Sequence, residues 1–186
     1  ITTGLVLAIT GMVRAREAEQ RARAEATTAS SVATFLVDLF RANDPAEARG
    51  DALTARELLD RGAVRVRDQL EDEPLVRARL LRAIGLAYES LGLYTDAQPL
   101  LADAAALLDS AGPDTRRDRA VVVGELSTVL MRSGDYERAR ELAGEAVAVF
   151  EASGDTASPE LMRTLNRLGM ANARLGDLPS ARSALD

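Results

Sequence analysis

The sequence predicts an all-α protein built as a stack of antiparallel helix pairs. Its 186 residues are 47% hydrophobic but only 3% aromatic. That composition, rich in Ala, Leu and Val, favours closely packed helices over a β-sandwich. Three glycines also recur at a constant interval of 42 residues, at Gly92, Gly134 and Gly176. A fixed interval of this length is typical of repeated supersecondary units.

Local signals mark where the predicted helices end and begin. Each of the three glycines is expected to end a helix in the left-handed conformation, with the next helix starting about two residues later. Thr54–Glu57 and Thr95–Gln98 fit the capping-box pattern. Asp135 and Asp177 are suitable N-caps, and Ser158 precedes a proline at a first helical position.

The composition excludes several kinds of chemistry. The chain has no His and no Cys, and all of its basic residues are Arg, so triads, zinc sites of the usual ligands and Schiff-base lysines lack their essential atoms. Glu71, Asp72 and Glu73 lie at a helix start without an apolar pocket that would favour acid catalysis. We therefore expect no catalytic residue, cofactor or metal. The net charge of −6 argues against nucleic acid and favours protein partners.

The N-terminal part carries a membrane signal. Residues 1–13 are apolar and uncharged, but a bilayer-spanning helix needs roughly 20 such residues. We interpret them as the end of a truncated transmembrane helix; a buried core helix and a signal-peptide remnant are the alternatives. Residues 14–31 are expected to form a charged juxtamembrane helix. The protein is thus expected to be anchored in a membrane by a single pass.

A capping hairpin is predicted over residues 32–72. In Val32–Phe40 the apolar residues recur at spacings of three and four, which gives one apolar helix face. Thr54–Leu70 is the expected second helix, because a step of 42 residues back from Gly92 reaches Gly50. Residues 73–186 then hold the repeats, divided as 73–113, 114–156 and an incomplete 157–186.

The spacing inside the repeats resembles the tetratricopeptide (TPR) signature. Large, small and aromatic residues on a first helix meet alanines and a large residue on a second; in the first unit these are Leu81, Ile84, Gly85, Tyr88, Tyr94, Ala97, Leu101 and Ala104. The second unit has Ser127 in place of the small Gly, and the third has Asn172 in place of the aromatic. The resemblance implies a right-handed α-solenoid of TPR-like hairpins. The 42-residue period exceeds the usual 34 or so and resembles the extended repeats of kinesin light chains.

A second resemblance covers Val32–Leu101. Its segments FLVDLF, DPAEARG, TARELLDRGA and GLYTDAQPLL look like the region after the transmembrane helix in bacterial membrane-anchored serine/threonine protein kinases with C-terminal TPRs. The resemblance implies a parent protein with a kinase domain, although this chain has none of the kinase motifs. In that family the TPRs are expected on the far side of the membrane from the kinase, whereas the arginines after Val13 indicate the cytoplasmic side. The membrane side stays open.

The resemblance to TPRs implies an interaction module with a peptide-binding concave groove. By repeat position, the groove residues are Arg79, Arg82, Leu86, Glu89, Glu125, Thr128, Arg132, Arg163, Asn166, Arg167 and Met170. Arg82, Arg163 and Arg167 match positions where co-chaperone TPRs clamp a terminal carboxylate, but Leu86 and Glu125 replace the clamp's Asn residues. A carboxylate clamp, a site for an acidic peptide and a solvated charged face all remain open.

Other functions fit the same sequence. The chain is predicted to be a scaffold or sensor that recruits a protein or self-associates. The alternatives are a regulatory arm of a transcriptional regulator or of a TPR-bearing hydrolase, and a spacer without a ligand. Arg116, Arg117 and Arg119 are interpreted as a loop and helix start rather than a phosphate site, because Asp114 and Asp118 offset their charge.

Overall fold

The computed structural model describes residues 54–155 and 157–184, which hold seven α-helices and one short 3-10 turn, Pro113–Thr115. The helices are α1 (Ala55–Gln69), α2 (Pro74–Ser90), α3 (Tyr94–Ser110), α4 (Arg116–Ser133), α5 (Tyr136–Ala152), α6 (Pro159–Arg174) and α7 (Leu178–Ser183). The predicted membrane segment, the charged helix and the first capping helix lie outside these residues. Among the helices described, none is both long and apolar enough to span a bilayer.

The helices form a solenoid in which each packs on the one before it. Within a hairpin the connection is only about three residues long, so the two helices run antiparallel. The first helices of successive hairpins also touch directly, α2 against α4 and α4 against α6. These three helices therefore form one continuous row, and the second helices lie behind them.

The turns within the hairpins depend on glycine. Gly134 has φ 93°, and the amide of Asp135 donates back to the carbonyl of Leu130 at 3.0 Å. A left-handed residue followed by this bond is the Schellman ending of a helix. Gly92 and Gly176 make the same turn, with φ of 75° and 83°. The three predicted helix ends are confirmed.

Most of the predicted caps are also confirmed. Thr54 and Glu57 form a reciprocal capping box, and the side chains of Asp135, Ser158 and Asp177 each accept a bond from a first-turn amide.

The predicted capping box at Thr95–Gln98 is wrong. Helix α3 begins at Tyr94, with Leu93 at the N-cap and no side-chain cap. The reason is the tight turn through Gly92, where the Leu93 amide bonds the Tyr88 carbonyl at 2.9 Å. Only one residue is left between the glycine and the helix, so Thr95 already lies inside the first turn.

The core confirms the packing expected from the repeat signature. Six of the eight first-unit residues are at most 3% exposed, namely Leu81, Ile84, Tyr88, Ala97, Leu101 and Ala104. A Cβ on Gly85 would lie 2.9 Å from Cγ of Leu101, so the missing side chain lets α2 and α3 approach closely. In the second unit Ser127 is buried and donates to the Gly124 carbonyl. Leu178, the counterpart of Tyr94 in the third unit, is exposed.

Candidate functional site

A groove runs along the row formed by α2, α4 and α6. It consists of two adjoining pockets of about 530 and 340 Å³. The larger is lined by residues that include Arg79, Arg117 and Asp118, and the smaller by Glu125, Arg163, Thr164 and Arg167. Both pockets share Arg82, Val121 and Glu160. The shared residues join them into one continuous surface.

Positive charge predominates in this groove. Five arginines and three carboxylates line the two pockets, an excess of two positive charges in a chain whose net charge is −6. The lining carboxylates are Asp118, Glu125 and Glu160. Charges gathered in a concave surface focus the electrostatic potential there. The groove therefore differs in sign from the protein as a whole.

Arg82 and Glu125 form a fork-to-fork ion pair across α2 and α4. The Nε of Arg82 donates to Oε2 of Glu125 at 2.7 Å, and Nη2 donates to Oε1 at 2.6 Å. This hydrogen bonding is the main reason that the pKa of Arg82 lies above its ordinary value. Bidentate pairs of this kind are among the stronger hydrogen bonds in proteins. Both oxygens of Glu125 are thus occupied.

Arg167 lies beside this pair without a partner of its own. It forms no hydrogen bond or ion pair within residues 54–155 and 157–184. Burial lowers the pKa of its guanidinium; the charges of Arg163 and Arg82 add to this effect, and Glu125 and Glu89 oppose it. Arg167 is therefore a partly desolvated cation with unused donors.

Arg163 and Arg117 are held by acidic residues, whereas Arg79 in the larger pocket makes no hydrogen bond or ion pair with the described residues. Nη2 of Arg163 bonds Glu160 at 2.9 Å on the same helix. Arg117 bonds Asp155 at 2.7 Å, and its guanidinium carbon lies 5.0 Å from the centre of the buried Phe150 ring. Arg117 belongs to the cluster interpreted as a loop and helix start, and it indeed lies at the start of α4. Its contacts join α4 to the loop before α6.

The structure brings together part of the predicted groove. Arg82, Glu125, Arg163 and Arg167 line the smaller pocket, and Arg79 lines the larger one. Glu89 is close enough to influence Arg167. The remaining predicted residues line neither pocket: Leu86, Thr128, Arg132, Asn166 and Met170. Among these, the hydroxyl of Thr128 is buried and has no hydrogen-bond partner in the described part of the chain.

Sequence analysis missed eight of the residues that line the two pockets, namely Ala78, Leu108, Arg117, Asp118, Val121, Val122, Glu160 and Thr164. A signal for Val121 and Glu160 existed. Side chains three or four positions apart lie on one helix face, so the predicted faces of α4 and α6 continue one turn towards each N-terminus. Val121 lies four positions before Glu125 on α4, and Glu160 lies three positions before Arg163 on α6.

Comparison with known proteins identifies the fold. Residues 118–186 match the tetratricopeptide repeat family model. A single-substitution variant of nearly identical TPR-like repeats, from a protein of the kinesin light chain type in Podosopora anserina, is 22% identical with a TM-score of 0.61. The fold is a TPR-like α-solenoid. The match covers 69% of this chain and 61% of that chain, so the chain spans less than two thirds of that structure.

A second solved structure shows the same TPR-like fold. BtubC (BKLC) from P. vanneervenii is 17% identical with a TM-score of 0.59, and the match covers 88% of this chain and 72% of that one. No curated protein matches the sequence. Solenoids of TPR type act as protein-interaction scaffolds, and that is the coarse function that the fold supports. Within the described ranges no group of His, Cys, Asp and Glu is arranged to hold a metal ion.

Proposed function

We propose that this chain is the protein-interaction module of a larger signalling protein, and that its groove binds an acidic segment of a partner protein. One observation carries the proposal: Arg167 is a partly buried guanidinium with no intramolecular partner, in a groove with excess positive charge. A desolvated cation gains most from a charge-assisted hydrogen bond. A carboxylate of the partner is the group that supplies one.

The extended form of the groove supports a peptide rather than a small molecule. The two pockets follow the first helices of three successive hairpins, so a segment several residues long can contact all three helices. Arg163, at the exposed edge, is paired with Glu160 on its own turn. Its charge is therefore already offset, and in the smaller pocket Arg167 is the cation left for a ligand carboxylate.

For the cellular context, we propose a bacterial serine/threonine kinase anchored by a single transmembrane helix. The resemblance of Val32–Leu101 to the juxtamembrane region of such kinases and the apolar residues 1–13 support this proposal. The sequence encoded upstream of Ile1 tests it directly. A complete span preceded by kinase motifs is expected. A DNA-binding or hydrolase domain without a span would instead support a regulatory arm of another protein.

The binding function is tested with defined peptides. The purified chain is titrated with a fluorescein-labelled, amidated peptide of alternating Glu and Ala and with its Gln counterpart, at low salt. We expect only the Glu peptide to bind, with an affinity that falls as salt screens the charges. Arg167→Glu should reduce that affinity by roughly tenfold or more, since a bond to a charged group contributes about 1.5–3 kcal/mol.

The matched control is Arg138→Glu, which makes the same charge change at an exposed position on α5 that lines neither pocket. Its affinity should stay close to that of the wild type. Arg82→Glu is a poor probe, because it would place a second carboxylate against Glu125 and disturb the fold. If Arg167→Glu and Arg138→Glu bind the Glu peptide equally well, the groove is not the binding site.

A further inference from the structure

The position of Glu125 limits what the groove can bind. Its side chain is only 12% exposed, and both of its oxygens accept hydrogen bonds from Arg82. A bidentate carboxylate is what a ligand would offer to an unpaired Arg82. Glu125 therefore occupies the Nε–Nη2 edge of this guanidinium, where the carboxylate of a ligand could otherwise bind with two hydrogen bonds.

Displacing Glu125 is costly. A ligand that takes Arg82 leaves the Glu125 carboxylate partly buried and without its hydrogen bonds. An unpaired, mostly buried charge costs more free energy than a single new ion pair returns. The Nε–Nη2 edge of Arg82 is thus closed to ligands as long as Glu125 carries its charge.

Arg167 is open for the opposite reason. It lies one 42-residue step beyond Glu125, so α6 places a cation where α4 places an acid. Its Nη1 lies only 3.1 Å from the position that a Cβ on Gly124 would take. Gly124 therefore provides the space in which the guanidinium lies. Gly124 and Glu125, which are adjacent in the sequence, together determine the environment of Arg167 and Arg82.

We propose that Glu125 is an internal competitor for ligand carboxylates, which closes the Nε–Nη2 edge of Arg82 and leaves Arg167 as the position for a ligand carboxylate in the smaller pocket. This inference rests on the proposed function of the groove and adds a determinant of its specificity. The wild-type protein should bind a peptide with one central glutamate and a peptide with two closely spaced glutamates almost equally. Loss of the Glu125 charge should allow Arg82 to bind the second glutamate of the peptide.

The test compares two labelled, amidated peptides of Ala and Ser, one with a single glutamate and one with two glutamates separated by one residue. Fluorescence anisotropy gives the affinity of each for the wild-type chain. We expect the two affinities to agree within about threefold, because Glu125 denies the second carboxylate the Nε–Nη2 edge of Arg82. If the wild type binds the two-glutamate peptide more than tenfold tighter, the proposal is overturned without any variant.

Variants then locate the effect. In Glu125→Gln, the two-glutamate peptide should bind roughly tenfold tighter than in the wild type, and the one-glutamate peptide should gain much less. In an Arg82→Gln background the same Glu125 change should give no extra gain for the second glutamate. A double-mutant cycle of this form isolates the coupling between the two residues. An equal gain in both backgrounds would show that Glu125 acts only through the general charge of the groove.

Gly124→Ala tests the other half of the proposal. The added methyl group should displace the Arg167 guanidinium and weaken binding of the one-glutamate peptide by several-fold, while circular dichroism shows an unchanged helix content. Unweakened binding would contradict the role of Gly124. Failure of the internal-competitor proposal is distinct from failure of the proposed function: Arg167→Glu still weakens binding by roughly tenfold or more in the first case and has no effect in the second.

Discussion

The hydroxyl of Tyr88 on α2 donates a 2.5 Å hydrogen bond to the carboxylate of Asp60 on α1. The Tyr88 ring is buried, and its counterparts in the next two hairpins are Leu130 and Asn172. This bond therefore belongs to the first hairpin alone. It fixes α1, the helix at the described N-terminal end of the stack, against the first repeat.

The first prediction concerns this bond. Tyr88→Phe keeps the ring but removes the donor, so it should lower the free energy of unfolding by about 1–2 kcal/mol. Urea unfolding followed by circular dichroism measures the change, and hydrogen exchange should show the loss of protection concentrated in α1. Tyr94→Phe is the control, because the Tyr94 hydroxyl makes no hydrogen bond among the described residues. Equal effects of the two substitutions would contradict the role of Asp60.

The second prediction is a dependence on alkaline pH. Burial, followed by the hydrogen bond to Asp60, raises the pKa of Tyr88 above its ordinary value. The unfolded chain releases the Tyr88 proton near pH 10, whereas the folded chain keeps it. The stabilisation is therefore full below about pH 10 and declines as the pH rises further, by at most about 1.4 kcal/mol per pH unit.

Urea unfolding of the wild type and of Tyr88→Phe at increasing pH tests this dependence. The wild type should lose stability more steeply above about pH 10 than the variant, which has no proton to lose at this position. Parallel curves would mean that Tyr88 titrates alike in the folded and unfolded chains.

The third prediction compares two helical glycines. Gly85→Ala places a methyl group 2.9 Å from Cγ of the fully buried Leu101. The resulting overpacking costs about 1–3 kcal/mol, which exceeds the gain of about 1 kcal/mol in helix propensity. Gly144→Ala on α5 meets nothing within 4 Å, so it should stabilise the protein by about 0.5–1 kcal/mol. Thermal unfolding should therefore shift in opposite directions, and shifts of the same sign would contradict the close approach of α2 and α3.

The fourth prediction concerns acid. The side chain of Ser158, then Arg117, and then the amides of Ser158 and Ala157 hold the pKa of Asp155 far below its ordinary value. The unfolded chain binds this proton near pH 4, whereas the folded chain resists it. The stabilisation by Asp155 is therefore full above about pH 4 and is lost as the pH falls further.

Melting temperatures of the wild type and of Asp155→Asn should differ at neutral pH and converge as the pH falls below about 4. Asp114→Asn is the control, since Asp114 is exposed and makes no hydrogen bond or ion pair with the described residues. A gap between wild type and Asp155→Asn that persists in acid would show that Asp155 stabilises the protein without its charge.

Much of the fold could be predicted because its signals are local. A glycine that must take a positive φ, or an Asp whose side chain caps an amide three residues on, acts within one turn of the chain. The one incorrect cap, at Thr95–Gln98, arose because a second local signal overrode the capping motif. The motif fits the sequence, but the turn at Gly92 places the helix start two residues earlier.

Less of the groove could be predicted from the sequence. The repeat register placed Arg82, Glu125 and Arg167 on the inner helices, but the resemblance to a carboxylate clamp treated Arg82 and Arg167 alike. The structure makes them different, because Glu125 reaches Arg82 and leaves Arg167 unpaired. Charge pairing between residues 43 positions apart depends on side-chain reach across two helices. Periodicity carries no information about that reach.

The sequence by itself determined the helices, their ends and the small residues where they cross, since these follow from backbone conformation and local hydrogen bonding. Only the tertiary structure decided which arginines are neutralised and which remain available to a ligand. The reason is that ion pairing depends on distances of a few ångströms and on exclusion of water. Both arise only when α2, α4 and α6 pack side by side.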